Sequence, residues 1–504
     1  MKGWQANRII DRIRKTDVIY YCLLMVAVLD FLLIVFENRI DFVVNAWSLI
    51  PTVLFFGIAI VKTKTKTTKQ LLILGSIMVL WFLIVQLIHQ QQGLKVRPIG
   101  VFSSVYLLAL PFASIAKDGE SCKGLKLYMG FFFAGLIVIL VLAGLLVIDQ
   151  VPFFLKSDVF LYNSGISIMV HPSQLGGLLV AGIGFAFTAF SITKRMQIKV
   201  ALVIMIILMF IVLALTKCNA AIWMAYLVSA GCVFVLINKG GYIRFIAGVM
   251  AAIIIIVVAF LINQLVFVWH WDMYKEKAET PSSQYHQIKV DEKQADRSLP
   301  DMFHQTVAGI GSICANRERY KAMQPVVARK ASTSVSLLST AKSLSAFQRQ
   351  LWALPTLNGR IPIWISFLEN ISQNKTVLLF GLDYSMYTLE SININHPHTH
   401  NSWLEALSAL GVPGFLMIFG ITTISIWHVI AILFGKCYEA WKKCVALLVV
   451  GLFGVGFMEP HLFLGGHFLP GGNNLHPMDF SFFLCLGHMI EWRRLNTEHK
   501  KTIK

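Results

Sequence analysis

Charge is what this sequence has least of. Charged side chains make up 14% of its 504 residues and hydrophobic ones 56%, whereas a soluble protein carries about a quarter charged residues. With a mean hydropathy of +0.68, most of the surface must face something apolar. A cleavable signal peptide is not expected, because the basic start (Arg8, Arg12, Arg14, Lys15) leads into a full-length apolar stretch. A disulfide framework is lacking too. The 8 cysteines are scattered, mostly in or beside apolar runs, and the long polar segment holds only Cys314. Buried apolar thiols are the expected role for the others. No internal repeat is visible.

What is present in quantity is apolar sequence in runs near the length that spans hydrocarbon. Hydropathy predicts about twelve transmembrane helices, at 18–36, 42–61, 71–89, 98–116, 127–148, 168–190, 200–215, 220–237, 245–268, 413–434, 444–458 and 477–490. The formal charge of +18 would suit nucleic acid, but its distribution argues against that partner. Lysines and arginines crowd into alternate short segments, such as Lys62, Lys64, Lys66 and Lys69, or Lys194, Arg195 and Lys199. The tail repeats the pattern with Arg493, Arg494, Lys500, Lys501 and Lys504, whereas the intervening short segments hold only Arg39, Lys95, Arg97, Lys156 and Lys217. This asymmetry predicts an all-α polytopic membrane protein with both termini in the cytoplasm. Its parts are helices 1–9 over 1–268, one large non-cytoplasmic loop over 269–399, and helices 10–12 with a cytoplasmic tail over 400–504. The loop is polar from Thr280 to Ser345 and turns apolar and helix-like from Leu351 to Leu389, with Trp352, Trp364 and Phe367, as a segment lying along the membrane surface would.

Chemistry concentrates where that loop re-enters the membrane, at Asn395-His396-Pro397-His398-Thr399-His400-Asn401-Ser402-Trp403-Leu404-Glu405. Ser402 and Glu405 have capping-box spacing and predict a helix start. His400 and Asn401 would then sit at its positive end, where free N–H groups attract anions and a histidine is biased towards the neutral form a general base needs. An exposed polar turn is the plainer reading. The alternation of His396, His398 and His400 also suits a metal, but Pro397 breaks the strand and no fixed carboxylate is evident, so no metal is assigned. Arg360, in an apolar segment, has no acidic neighbour in sequence before Glu369, which points to a ligand phosphate or a lipid headgroup. Glu459-Pro460-His461, His476-Pro477 and Arg97 are weaker members of the same outer cluster.

His400-Asn401, nine residues, then Gly411-Val412-Pro413-Gly414 resembles the signature of the O-antigen ligase family, which includes O-antigen polymerases and bacterial O-linked oligosaccharyltransferases. Asn358-Gly359-Arg360-Ile361-Pro362-Ile363-Trp364 is similar to the family's Gly-Arg-x-x-x-Trp segment. Leu379-Phe380-Gly381-Leu382-Asp383 resembles the Gly-rich stretch after it, and His171-Pro172-Ser173-Gln174-Leu175-Gly176 resembles a motif opening a middle span. The resemblance implies a GT-C-type glycosyltransferase architecture without a cofactor, with an undecaprenyl-diphosphate-linked glycan as donor. For a ligase the acceptor is a lipid A–core hydroxyl, whereas a polymerase or a protein O-oligosaccharyltransferase differs only in acceptor, and no motif decides between them. The active site would be periplasmic, in the bacterial inner membrane. It also implies His400 as base and Arg360 on the diphosphate, with Asn401 and His398 as neighbours binding substrate. The sequence departs from the family at Thr216-Lys217-Cys218-Asn219-Ala220, where Asn219 stands in place of an expected arginine. Lys217 would supply that charge as a point rather than a fork, or would snorkel to lipid.

Overall fold

The computed structural model describes residues 65–88, 123–147, 160–162, 165–167, 172–216, 218–238, 240–279, 360–381, 399–459, 462 and 477–503. Among them the helices are α1 (Lys66–Ile88), α2 (Lys123–Val147), α3 (Pro172–Ile192), α4 (Met196–Thr216), α5 (Asn219–Ile237), α6 (Tyr242–Glu279), α7 (Arg360–Gln373), α8 (Lys375–Phe380), α9 (Ser402–Phe434), α10 (Ala440–Met458) and α11 (Pro477–Ile503). Eight of them, α1 to α6, α9 and α10, are long and apolar enough to cross a membrane. This is a polytopic membrane protein. The expected spans 18–36, 42–61 and 98–116 lie outside the described residues. The segment expected at 477–490 forms the start of α11, which continues through Arg493 and Arg494 to Ile503.

The fold is helical as expected, with one short hairpin beside the helices. Phe160–Tyr162 (β1) and Gly165–Ser167 (β2) pair antiparallel, Leu161 opposite Ile166. This hairpin packs near the start of α3, where Phe160, Leu161 and Tyr162 are the aromatic and apolar types that strands favour.

The centre of the bundle is α3, with 78% of its apolar window buried, against 11% for α6 at the periphery. α3 packs on α4, α5 and α10. Without water to drive apolar faces together, such contacts depend on close packing at small residues. Gly184 of α3 faces Leu448 of α10, and Gly451 of α10 faces Val228 of α5 and Val180 of α3. The turns carrying Lys194 and Arg195, Gly240 and Gly241, and Lys436 all fall at one end of the bundle. There Arg494 binds Glu491 and Glu498, and Lys442 sits over the rings of Trp441 and Trp492.

Helix α9 is broken. Gly411 leaves the helical region at φ 67°, ψ −170°, so Ser402–Leu410 is a half-helix and the rest continues at an angle. Pro413 removes the N–H that would bond the carbonyl one turn back. The break leaves carbonyls open inside hydrocarbon, where each needs another donor, and the indole N–H of Trp81 of α1 reaches the last carbonyl before Gly411, Leu410 O, at 2.8 Å. Trp81 also stacks on Phe380, 5.8 Å between ring centres.

Candidate functional site

Two glycines explain how the loop helices dock on this break. Gly381 follows α8 at φ 74° and Gly411 breaks α9 at φ 67°. A Cβ on Gly411 would collide with the Leu379 carbonyl, and one on Gly381 with the Ala409 carbonyl. Each glycine leaves room for the other segment's backbone, in a conformation that L side chains rarely adopt. Two motifs separated by some thirty residues in sequence are thus one backbone-to-backbone contact. It anchors α7 and α8 beside the mouth of the half-helix.

The Arg360-x-x-x-Trp364 spacing then has a reason. Residues four apart on a helix share a face, and here both point at the half-helix entrance and its neighbour α10. The Trp364 indole donates to Thr399 O at 2.7 Å and its ring meets Phe457 edge-on at 5.5 Å. Arg360 Nη2 lies 2.5 Å from Glu459 Oε1. Glu459 Oε2 lies 3.4 Å from His400 Nδ1. Arg360, His400 and Glu459 therefore form one cluster around one carboxylate, drawn from three elements. The side chains of Arg360 and His400 are 21% exposed and that of Glu459 only 7%. A ligand can reach the cation and the imidazole, while the carboxylate sits behind them.

The sequence expectation gave Arg360 no acidic neighbour. The fold supplies Glu459, 99 positions away. Both residues stand on the unfavourable end of their helices: Arg360 opens α7 at its positive end, and Glu459 follows α10 at its negative end. Each compensates the other. Glu459, ranked low from sequence, is thus central to the cluster.

The helix start at His400-Asn401 forms, one residue earlier than the capping box predicts. Asn401, not Ser402, is the N-cap. Its Oδ1 accepts from Trp403 N and Leu404 N, and its Nδ2 donates to Phe457 O. Ser402 is drawn elsewhere, donating from Oγ to Glu459 O and accepting from Leu462 N. Glu405 reaches back past the cap to Thr399, 3.0 Å from its N and 2.6 Å from its Oγ1. The N–H groups expected to be free for an anion at this helix end are therefore largely occupied by Asn401. Asn401 is 4% exposed and serves the backbone. The positive charge available to a ligand here is that of Arg360. These bonds also hold His400 at φ 52°, a left-handed conformation that histidine tolerates better than most residues and that the surrounding cap enforces.

The turn between α4 and α5 closes the cluster from a third side. Burial pushes the Cys218 thiol up to about 12, helped by the negative charge of Glu459 and opposed by Arg360, which makes it an inert wall and not a nucleophile. Gly176 of α3 faces Cys218 and Ala221, so the segment after Pro172 joins the same end. Asn219 opens α5 half-buried. Lys217, His398, His396 and His171 lie outside the described residues. Among the described residues no three His, Cys, Asp or Glu side chains come together as metal ligands would.

The chain matches no protein-family model. It matches no curated protein either.

Proposed function

We propose that this protein is a glycosyltransferase of the O-antigen ligase type, moving a glycan from undecaprenyl diphosphate to a lipid A–core hydroxyl. In this reading it has about twelve spans in GT-C-type arrangement, lies in the bacterial inner membrane with both termini cytoplasmic, and works on the periplasmic face without a metal. The observation that carries the reading is the convergence of Arg360 and His400 on Glu459, at the end of the bundle opposite its basic turns. A diphosphate leaving group needs a cation, and a hydroxyl nucleophile needs a base within reach of the same carbon.

Arg360 keeps further N–H donors beyond the one on Glu459, and its fork suits a phosphate. The acceptor oxygen attacks the anomeric carbon from the face opposite the diphosphate. Its proton passes to His400, and the broken C–O bond leaves its electron pair on the phosphate oxygen. The anomeric centre inverts. Donor lipid would lie among the apolar helices, with membrane lipids as the remaining partners.

A second reading, secondary transport, draws on the broken helix α9, a device of transporters. The cluster argues against it, because its charges sit at one end of the bundle and not at mid-membrane.

The deciding experiment deletes the gene and restores it as wild type or as His400→Ala, checked for membrane expression. Core lacking O-chains, with lipid-linked polymer accumulating, is expected from the deletion and from His400→Ala. Transfer should fall about 10²–10⁴-fold in the variant, with donor still bound. Core bearing one repeat would mean polymerase activity, and normal lipopolysaccharide with unglycosylated proteins would mean protein O-glycosylation. Near wild-type transfer by His400→Ala would remove the base from the mechanism.

A further inference from the structure

One carboxylate serves two partners in this cluster, and it serves them unequally. Glu459 Oε1 is held tightly by Arg360 at 2.5 Å, while Oε2 lies at 3.4 Å from His400 Nδ1, the outer limit of a hydrogen bond. The Glu459 backbone is fixed independently by Ser402 Oγ on its carbonyl and by its own N–H on Val455 O. Only the side chain is left to move between the two. Long contacts between catalytic groups often tighten in the complex with substrate.

We infer that Glu459 is the positioning residue of His400, and that a diphosphate docking on Arg360 hands the carboxylate over to the imidazole. A diphosphate on the remaining N–H donors of Arg360 shares the same single positive charge with the carboxylate and repels it, so the grip on Oε1 loosens as the ligand binds. Glu459 then closes on Nδ1 and holds the proton there. This fixes the tautomer in which Nε2 carries the lone pair, and it stabilises the imidazolium once Nε2 has taken the hydroxyl proton. Deprotonation is thereby tied to the presence of donor, and an unoccupied site has no oriented base with which to activate water. Among the described residues, the charged and titratable groups facing this pair are Arg360 from α7, Cys218 from the α4–α5 turn and Glu405, engaged by Thr399.

This inference rests on His400 as the base, so its test separates the two ideas. Full-length protein in lipid nanodiscs is labelled with ¹⁵N-histidine, and the His400 resonances are assigned by their loss in His400→Ala. Adding undecaprenyl diphosphate should move neutral His400 to the Nδ1–H tautomer in the wild type. In Glu459→Gln the amide can donate to Nδ1, so the opposite tautomer should appear and turnover should fall about 10²–10⁴-fold. Donor affinity should stay equal or rise in that variant, because Arg360 is released. Glu459→Asp, which keeps the charge, should restore the tautomer shift and part of the turnover, and it stands in if the glutamine variant fails to fold. A His400 tautomer indifferent to diphosphate and to Glu459→Gln would overturn the inference, as would equal losses in donor affinity and turnover. A tautomer shift in a protein that transfers no glycan would leave the Glu459–His400 coupling standing and sink the transferase reading instead.

Discussion

Gly411→Ala is the substitution whose consequence can be worked most fully from the geometry. Its first effect is conformational. At φ 67°, ψ −170° the backbone lies in territory open essentially to glycine alone, and a side chain there costs about 1–3 kcal/mol. The second effect is steric, because the added Cβ would overlap the Leu379 carbonyl and the Phe380 amide. Backbone cannot swing aside as a flexible side chain would, so overpacking adds about 1–3 kcal/mol more. The expected loss is thus about 2–6 kcal/mol, read as unfolding in mixed micelles. Gly420→Ala is the control from the same helix: its nearest neighbour would be Leu74 at 3.9 Å, and alanine there should be neutral or stabilising by up to about 1 kcal/mol. Gly381→Ala attacks the same contact from the other side, so the double variant should lose clearly less than the two single losses added together. The half-helix that Gly411 ends carries His400 at its start, and a displacement of about 1 Å can reduce turnover about 10²-fold. If Gly411→Ala and Gly420→Ala unfold alike, the backbone contact does not exist as described.

Other expectations follow from the same contacts. Arg360→Ala should weaken both donor affinity and single-turnover rate, because a diphosphate is charged before it reacts, and Arg360→Lys should recover only part, since lysine lacks the fork. Asn401→Ala should lower stability by about 0.5–2 kcal/mol as a lost cap while leaving donor affinity intact, and a selective loss of donor affinity would return Asn401 to substrate binding. A reporter active only outside the cytoplasm should be active when fused near Ser332 and silent near Lys66; the reverse would invert the orientation and move the cluster to the other face.

Hydropathy located the helices because membrane spans obey one dominant constraint, backbone satisfaction within an apolar stretch. Run length therefore brought α1 to α5 within a few residues of their observed ends, while α6, expected to stop at 268, continues to Glu279. The break in α9 was harder to see. Pro413 is visible in sequence, but the donor that meets the open Leu410 carbonyl at the break is Trp81, more than three hundred positions away, whose indole N–H gives no hydropathy signal. The cap shifted from Ser402 to Asn401 for a similar reason. Local spacing favours Ser402, with Glu405 three residues on, and the cap passed to Asn401 because Ser402 is engaged by Glu459 O and Leu462 N, which only the folded chain brings within reach.

Glu459 shows where a sequence signal existed and carried too little weight. An anion at the negative end of a membrane helix is unfavourable on two counts, the helix dipole and the loss of hydration. Arg360 is the mirror case, a cation at the positive end of an apolar helix. Two residues each misplaced by local rules imply a partner, and the simplest partner for either is the other. Read in this way, the lack of acidic residues around Arg360 in sequence argues for a distant carboxylate as strongly as for a ligand phosphate, and the fold supplies the carboxylate. A diphosphate donor must therefore enter a site whose cation is already engaged. Affinity for it would reflect the exchange of Glu459 for phosphate, and not the meeting of phosphate with a bare arginine.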